Sequence, residues 1–334
     1  MKKIAFFDTK PYDKVWFDKL NKNYEIEYFD SKLNRKTAML ANGFDAAVAF
    51  VNDDIDAEAI DRLTENNVNV LAMRCSGYNN VDIKHALGKL TVLHVPYYSP
   101  YAVAEHAMAM LLTLNRRLHK AYNRTRDFNL RLNGLTGTDL HGKTVGVIGT
   151  GKIGQVFIGI CRGFGMNVIA YDPYPAADSD YKYVSLDELF SSSDFISLHC
   201  PLTEQSHHII DRASIGKMKQ GVFIVNTSRG GLIDSEALLG GLNDGVIKGA
   251  ALDVYEEESD LFFEDYSNEV VLDEVLSLLV SRPNVLITSH QAFLTDEALE
   301  KIAEITLKNL DDYFAGKPLD NEVVYHPKDS AAVK

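Results

Sequence analysis

The sequence predicts an α/β protein with two doubly wound parallel-sheet domains, of the Rossmann and flavodoxin-like kind, with an interdomain cleft. Short runs rich in apolar and β-branched residues alternate with helix-like stretches, which is the pattern of parallel βαβ units. The runs form two series, one before and one after a long helical segment, and each series implies its own sheet. A chain of 334 residues is also long enough for about two domains.

The first series predicts the sheet of an amino-terminal domain. Its runs are short, and the stretches between them, such as 55–65, are helix-like. Strands that alternate with helices in this way pair in parallel. The predicted strands are 4–7, 26–29, 46–51, 68–73 and 91–95.

A long helical pattern at 101–127 follows and is expected to bridge the two domains. Ser99 and Pro100 precede it, and proline is favoured in the first turn of a helix. The strands predicted after it are 144–148, 167–171, 195–199, 222–226, 249–254 and 285–288. A last helical run at 296–314 is expected to cross back to the first domain. The first domain is therefore predicted to comprise residues 1–100 with 298–334, and the second 101–297.

Composition and charge restrict the class of protein. With 46% apolar and 24% charged residues the chain is typical of a soluble globular protein, and its net charge of −13 repels phosphate backbones and anionic lipid. We therefore expect no nucleic-acid or membrane partner. No apolar run approaches the roughly 18 residues of a membrane span, and the run at 4–7 is too short for a signal peptide. Cys75, Cys161 and Cys200 lack disulfide or metal-ligand spacing, which favours a reducing cytoplasm and predicts no metal site.

A glycine-rich loop between the strand at 144–148 and the next helical run is the sharpest local signal. It reads Gly149, Thr150, Gly151, Lys152, Ile153, Gly154. The first glycine allows a tight turn, the second lets a pyrophosphate approach the backbone, and the third allows helix and strand to pack closely. The motif alone is weak, but a strand before it and a helix after it are the context of a dinucleotide site. A structural glycine turn is the alternative.

Asp172 ends the next predicted strand, 18 residues after Gly154. An acidic side chain at about this spacing binds the ribose hydroxyls of a dinucleotide. A carboxylate also repels the 2′-phosphate of NADP, and no Arg or Lys follows Asp172 through residue 180, so the sequence favours NAD. A simple turn-forming role before Pro173 is the alternative.

Polar side chains follow the strands of the second domain at their carboxyl ends, where ligands bind in open parallel sheets. The run 226–231 (NTSRGG) follows one strand, Asp253 closes the next and His290 follows the last. Reduction of a 2-keto acid needs a cation to hold the carboxylate and a proton donor that titrates near neutral pH. Arg229 and His290 are the candidates, and a neighbouring carboxylate would orient the imidazole.

The residues alone do not select that carboxylate. Glu258 is a candidate, but it lies in the acidic run 256–260, where a solvated face is the default. Arg229 could instead pair with a surface carboxylate, and His290 could be a core histidine. His207 and His208 have no partner at useful spacing and are expected to be structural or surface residues.

Longer motifs extend over essentially the whole chain. They are YYSPYAVAEHAMAML from Tyr97, GTGKIGQVF from Gly149, YDPYP from Tyr171, NTSRGGLID from Asn226, ALDVYEEES from Ala251, SDLFFEDYSN from Ser259 and SHQAFLT from Ser289. In this order they resemble the D-2-hydroxyacid dehydrogenases, and among them the bacterial fermentative D-lactate dehydrogenases. The resemblance implies an NAD-dependent enzyme that reduces pyruvate to D-lactate. It also implies a substrate domain at 1–100 and 298–334, an NAD-binding Rossmann domain at 101–297, and homodimers or homotetramers.

Residue roles follow from the same resemblance. It implies that Arg229 binds the substrate carboxylate and keto oxygen, that His290 is the acid/base, and that Glu258 is its partner. Substrate contacts are implied for Ser76, Gly77, Tyr98, Arg229, His290 and Phe293. Cofactor contacts are implied for Gly149, Gly151, Lys152, Ile153, Gly154, Asp172, Cys200, Pro201, Thr227, Ser228, Arg229 and Asp253.

Two other functions stay open at this stage. A reductase of a bulkier branched-chain or aromatic 2-keto acid would differ in pocket size, although the aromatic side chains of Tyr98 and Phe293 favour pyruvate. An NAD-sensing corepressor-like binding protein would share the fold, since function depends on the site and not on the fold. The set of Arg, Glu and His at the strand ends argues against that second alternative.

Overall fold

The computed structural model describes residues 1–258 and 261–325. The chain forms two compact units, one built from residues 1–99 with the chain from 294 onward, the other from 100–293. Each unit contains a sheet whose strands pair in parallel, flanked by helices. The predicted fold class of two parallel-sheet α/β domains is confirmed.

The first unit has a five-stranded sheet. Its strands are β1 (Lys2–Phe6), β2 (Tyr24–Tyr28), β3 (Ala46–Ala49), β4 (Val70–Met73) and β5 (Thr91–Leu93), in the order β2-β1-β3-β4-β5. This is the flavodoxin-like order. Its helices are α1 (Pro11–Leu20), α2 (Ala57–Glu65), α3 (Ile83–Ala86) and the carboxy-terminal helix Asp296–Phe314, with a short 3-10 helix at Ala38–Ala41.

The sheet of the first unit is buried on both faces, as parallel sheets usually are. Phe6 and Val48 are almost fully buried and belong to one apolar core with Ala72. Ala303 and Leu307 of the carboxy-terminal helix lie in the same core. The chain therefore returns to the first unit after completing the second.

The second unit has a seven-stranded sheet, in the order β12-β11-β10-β9-β6-β7-β8. The strands are β6 (Thr144–Ile148), β7 (Asn167–Tyr171), β8 (Lys182–Tyr183), β9 (Phe195–Leu198), β10 (Val222–Asn226), β11 (Ile247–Leu252) and β12 (Val285–Ile287). The strand order reverses around β6, so the crevice for a ligand lies at the carboxyl end of β6. The helices are α4 (Pro100–Asn115), α5 (Leu118–Arg126), α6 (Lys152–Gly163), α7 (Leu186–Ser192), α8 (Arg212–Ile215), α9 (Ser235–Asn243) and α10 (Glu274–Ser281), with a 3-10 helix at Gly230–Leu232.

The predicted single helix at 101–127 is wrong, because the chain breaks between α4 and α5. Arg117 adopts the left-handed backbone conformation, with φ of 54°, which a continuing α-helix does not allow. The Asn115 side-chain amide also makes two hydrogen bonds to the backbone of Thr138. It donates to the Thr138 carbonyl at 2.6 Å and accepts from the Thr138 N–H at 3.1 Å. This contact ends α4 against the segment that leads into β6.

None of the helices in the described part of the chain is long and apolar enough to cross a membrane.

Candidate active site

The glycine loop joins β6 to α6 at the point where the strand order reverses. Gly149 has a φ of 94°, and a Cβ there would lie 2.6 Å from the backbone of His199 and Cys200. A Cβ on Gly154 would lie 2.1 Å from the Gly149 carbonyl oxygen. Both positions therefore require glycine. Gly151 is the N-cap of α6, and Lys152 and Ile153 begin the helix, whose free N–H groups favour an anion.

Asp172 follows β7 and is bonded to the glycine loop. Its Oδ2 accepts hydrogen bonds from the Thr150 backbone N–H at 2.7 Å and hydroxyl at 3.0 Å. Its Oδ1 accepts from the backbone N–H of Tyr174 at 2.9 Å. The bond to Tyr174 shows that the carboxylate also stabilises the turn at Pro173, the alternative role considered for Asp172. The same carboxylate lies beside the glycine loop, where a dinucleotide ribose would bind.

The turn after β10 carries the next group of predicted residues. Asn226 is buried, and its side chain donates to the Arg229 carbonyl at 2.8 Å and accepts from the Ser228 N–H at 3.0 Å. The Ser228 hydroxyl donates to the Cys200 carbonyl at 2.7 Å. These bonds fix the turn to the neighbouring strand end. Asn226 therefore holds the turn that carries Arg229. Its position at the start of the NTSRGG motif is the sequence feature that could have indicated this role.

The Thr227 hydroxyl, in the same turn, is buried and has no hydrogen-bond partner among the residues that the structure describes. Burying an unpaired hydroxyl costs free energy. A polar atom left unpaired at a strand end of a dinucleotide-binding sheet is suited to a ligand. Of the neighbouring predicted contacts, Pro201 is exposed and Cys200 is buried. Burial raises the pKa of the Cys200 thiol to about 11, so it is not a thiolate nucleophile.

Arg229 is half-buried, and its Nη1 donates to the Ser228 carbonyl at 2.7 Å. Within the ranges 1–258 and 261–325 it makes no ion pair with a carboxylate, so the surface-pair alternative lacks a partner there. The next residue must be glycine, since a Cβ on Gly230 would lie 2.0 Å from the Tyr255 carbonyl group. The arginine turn is therefore packed directly against the segment that leads to Glu258.

Glu258 and His290 form a hydrogen-bonded pair, with 2.8 Å between Oε1 and Nδ1. The other carboxylate oxygen, Oε2, accepts from the Tyr255 backbone N–H at 2.9 Å. Both side chains are about four-fifths buried. Of the other acidic residues in the run 256–260, Glu256 bonds His208, Glu257 is exposed, and residue 260 lies outside the described part. The geometry therefore pairs Glu258 with His290.

The backbone of His290 is unusual. Its φ of 49° lies in the left-handed region, which costs a residue with a Cβ roughly 1–2 kcal/mol. Its N–H donates to the Asp253 carbonyl at 2.7 Å. Because Nδ1 faces Glu258, Nε2 is the ring nitrogen left for another partner. Strain held in this way is frequent at functional sites.

Asp253 is fully buried and anchors the loop that carries His290. It accepts hydrogen bonds from the Thr288 hydroxyl at 2.5 Å and from the backbone N–H groups of Gln291 at 2.9 Å and Ala292 at 2.8 Å. His106 Nε2 lies 3.4 Å from Oδ1. Burial alone would raise the pKa of Asp253, but the hydrogen bonds lower it by more than burial raises it. The pKa of Asp253 is therefore below its ordinary value. Asp253 is therefore a carboxylate at neutral pH.

His106 and Thr288 are contacts of this anchor that the sequence reasoning missed. His106 interrupts the apolar stretch of α4 and reaches both the Thr288 hydroxyl, at 3.2 Å, and Asp253. A polar side chain inside an apolar helix was the only signal, because 182 residues separate His106 from Thr288.

Three predicted substrate contacts belong to the first unit. Ser76 and Gly77 lie in the loop after β4, where the Ser76 carbonyl contacts His94 Nδ1 at 2.9 Å and the Gly77 carbonyl accepts from the Cys75 thiol at 3.2 Å. Tyr98 is half-buried, just before the point where the chain first leaves that unit. Phe293 is buried and closes the second unit. The predicted substrate roles of these four residues stay predictions.

The fold and the glycine loop define a dinucleotide-binding domain with an Arg, Glu and His set in the same unit. The profile of the D-isomer specific 2-hydroxyacid dehydrogenase NAD binding domain matches residues 108–292. The D-lactate dehydrogenase of Escherichia coli is 51% identical over 329 residues, which cover 96% of this chain and 100% of that protein. The chain belongs to the D-isomer specific 2-hydroxyacid dehydrogenase family. The predicted resemblance is confirmed, and with it NAD as the cofactor.

Solved structures agree with this assignment. The apo-structure of the E. coli D-lactate dehydrogenase matches with a TM-score of 0.89 and 48% identity, covering 96% of this chain and 100% of that one. The pyruvate reductase of Chlamydomonas reinhardtii matches with a TM-score of 0.91 and 42% identity, covering 96% and 98%. A D-2-hydroxyisocaproate dehydrogenase matches with a TM-score of 0.86 and 32% identity, covering 97% and 100%.

Proposed function

We propose that this protein is an NAD-dependent D-lactate dehydrogenase that reduces pyruvate to D-lactate. The observation that carries the proposal is the 2.8 Å pair of Glu258 and His290 in the same unit as the glycine loop and the Arg229 turn. The half-identical relative from E. coli, whose name is D-lactate dehydrogenase, supports the choice of substrate.

The proposed chemistry uses three side chains. NADH, when bound, supplies the hydride that reduces the carbonyl carbon. Protonated His290 donates its Nε2 proton to the keto oxygen, which gives the hydroxyl of the product. Glu258 is hydrogen-bonded to the opposite ring nitrogen and so orients the imidazole. The Arg229 guanidinium binds the substrate carboxylate and stabilises charge that develops on the keto oxygen, which contributes a few kcal/mol.

The cofactor contacts are proposed from the fit of the residues present. The glycine loop offers the helix N-terminus of α6 to the pyrophosphate, with Lys152 beside it. Asp172 faces the ribose next to that loop, and its carboxylate disfavours the 2′-phosphate of NADP. The buried, unpaired Thr227 hydroxyl, in the turn after β10, supplies a further polar contact to the cofactor.

The range of 2-keto acids that the enzyme accepts depends on the side chains that contact the substrate. We propose that Tyr98 and Phe293 each contact the substrate and that backbone amides of Ser76 and Gly77 hold its carboxylate. A substrate that meets large aromatic side chains is expected to be small, which favours pyruvate. The likeness to a D-2-hydroxyisocaproate dehydrogenase makes a bulkier 2-keto acid the outcome to test against.

We further propose that the enzyme works in the cytoplasm, in fermentation, as a homodimer or homotetramer. The cysteines are buried and free, which fits a reducing compartment. The segment 118–132 exposes Leu118, Tyr122, Phe128, Leu130 and Leu132. Exposed apolar groups concentrated in one segment favour association, and light scattering of the purified protein measures the oligomer.

The test is a spectrophotometric assay with NADH and pyruvate, followed by chiral identification of the product. We expect NADH oxidation with formation of D-lactate. His290→Gln should lose several orders of magnitude in kcat with NADH binding intact, since only the proton donor is removed. Arg229→Lys should weaken both pyruvate binding and turnover although it keeps the charge, because Lys lacks the planar two-donor fork.

Three results would count against the proposal. Unchanged turnover in His290→Gln would refute the acid assignment, and near-normal kcat/KM in Arg229→Lys would remove Arg229 from its role. NADH binding without oxidation by pyruvate would point to a larger 2-keto acid. If a panel of those acids also failed, a non-enzymatic NAD-binding role would remain.

A further inference from the structure

Two imidazoles and a carboxylate meet outside the Arg229, Glu258 and His290 set. Ligating atoms of His207, His208 and Glu256 all lie within 4.8 Å of one another. His208 Nε2 is 2.5 Å from Glu256 Oε1. The group departs from the prediction of no partner for either histidine and no metal site. No local sequence pattern indicates it, because 48 residues separate His208 from Glu256.

The backbone brings the two rings to the same side. Consecutive side chains in an extended chain point to opposite faces, but His208 has a φ of 51°, in the left-handed region. The rings therefore stack, with 3.8 Å between their centroids and 26° between their planes. Holding a residue with a Cβ in this conformation costs roughly 1–2 kcal/mol. The strain is paid by the surrounding structure before any ligand arrives.

Backbone hydrogen bonds hold this conformation in place. The His207 N–H donates to the Thr203 carbonyl at 2.8 Å, and the His208 N–H donates to the Gly231 carbonyl at 2.9 Å. The Ser235 hydroxyl lies 3.5 Å from Glu256 Oε2. Three separate segments therefore converge on the group, so it is organised by the tertiary fold.

We propose that His207, His208 and Glu256 bind a divalent transition metal ion of the Zn²⁺ type. Two imidazole nitrogens and one carboxylate oxygen are a ligand set that zinc uses, with water in the fourth position. Mg²⁺ and Ca²⁺ prefer oxygen ligands and fit this set poorly.

The geometry needs only side-chain adjustment. Tetrahedral zinc with bonds of about 2.1 Å separates its ligand atoms by about 3.4 Å, and these atoms already lie within 4.8 Å of one another. The ion would replace the direct His208 to Glu256 hydrogen bond. The side chains of His208 and Glu256 are 31% and 24% exposed, so an ion can reach them from solvent.

The site touches both segments that carry the proposed reaction. Gly231, which accepts the His208 N–H, follows Arg229 by two residues, and Glu256 precedes Glu258 by two. A bound ion would brace the arginine turn against the segment of Glu258. We therefore expect Zn²⁺ to raise the melting temperature of the transition that unfolds the unit 100–293.

The experiment is calorimetric titration of the untagged full-length protein with Zn²⁺, slightly above neutral pH in a buffer that does not chelate metals. We expect saturable binding, and a Co²⁺ absorption spectrum of tetrahedral coordination. Mg²⁺ in place of Zn²⁺ should give no comparable heat. His207→Gln and Glu256→Gln should each weaken Zn²⁺ binding at least about tenfold, since each removes one of three ligands.

A matched control separates the site from histidine–carboxylate pairs in general. His85 contacts Asp61 at 2.8 Å without a second imidazole, so His85→Gln should bind Zn²⁺ as the wild type does. His208→Asn is a further ligand variant that keeps the left-handed backbone accessible. Circular dichroism and NADH binding check that each variant is folded. Unchanged Zn²⁺ affinity in folded His207→Gln and Glu256→Gln, or no saturable binding in the wild type, would overturn the proposal.

Discussion

A buried hydroxyl without a partner makes Thr227 informative at the scale of a single residue. Thr227→Val keeps the side-chain shape and removes the unpaired hydroxyl, so we expect the free energy of unfolding to stay the same or rise by about 1 kcal/mol. If the hydroxyl contacts NAD, NADH binding should weaken about tenfold, which corresponds to about 1.4 kcal/mol. Urea unfolding and fluorescence titration with NADH measure the two effects.

Thr306→Val is the matched control for that variant. Thr306 lies in the carboxy-terminal helix of the first unit, and its hydroxyl is likewise buried without a partner among the residues of the described ranges. Its stability should respond in the same direction, while NADH binding should not change. Wild-type NADH affinity in Thr227→Val would remove Thr227 from the cofactor contacts.

The hydrogen bonds that Asp253 makes to the loop of His290 lower its pKa, so they should make the stability of the fold depend on pH. Its pKa is lowered in the folded chain because its hydrogen bonds outweigh the effect of burial. A lowered pKa contributes stability above the unfolded value of about 3.9, and this contribution is lost as pH falls through the folded pKa. Asp253→Asn should therefore unfold at lower urea than the wild type at pH 7, and the gap should shrink towards pH 3. A gap that does not depend on pH would contradict this account of the carboxylate.

At the scale of the element, the turn from β6 to α6 depends on backbone space. Gly149→Ala would place a Cβ 2.6 Å from the backbone of residues 199 and 200, at a φ of 94°. We expect a loss of at least about 2 kcal/mol in stability, from the conformation and the clash together, and weaker NADH binding. Chemical unfolding with and without NADH measures both.

Gly159→Ala in α6 is the control for that glycine. Gly159 is exposed, and nothing lies within 4 Å of a Cβ built there. Alanine should stabilise the helix by about 0.5–1 kcal/mol. If Gly149→Ala were as stable as Gly159→Ala, the loop would tolerate a side chain and the steric argument for it would fail.

Continuous apolar runs explain which elements could be predicted. The strands at 144–148, 167–171 and 222–226 have the predicted bounds, because each run ends where the chain meets a turn. The break in 101–127 was not predictable, since Arg117 has no local signal for a left-handed backbone. Strand β8 was missed because two residues show no periodicity.

The candidate site shows the same division. Motif spacing placed Arg229 and His290 at strand ends, but the residues alone did not distinguish Glu258 from Glu256 within the acidic run. The family resemblance selected Glu258, and the tertiary contacts pair it with His290 while Glu256 bonds His208. His106 lies far along the chain from its partners, so no window of sequence contains the contact. Local patterns predict strand ends, whereas pairing between distant strand ends needs the folded chain.

At the scale of the whole molecule, the chain has two units with separate sheets, so binding of the cofactor to one unit can be measured as an increase in the stability of that unit. A ligand that binds only the folded state stabilises it by about 2.7 kcal/mol at a concentration one hundred times its Kd. The residues proposed for NAD lie in the unit 100–293, so NADH should raise the melting temperature of the transition that unfolds this unit. Calorimetry resolves such transitions where unfolding is not two-state.

NADPH supplies the contrast in the same experiment. The Asp172 carboxylate is held by Thr150 and Tyr174. In the proposed binding mode it lies next to the ribose, where NADPH carries its additional phosphate. Repulsion between the two negative groups should weaken binding, so NADPH at the same concentration should shift the melting temperature much less. Because the repulsion is electrostatic, added salt should narrow the difference between the two cofactors. Equal shifts from NADH and NADPH at low salt would show that Asp172 does not select the cofactor.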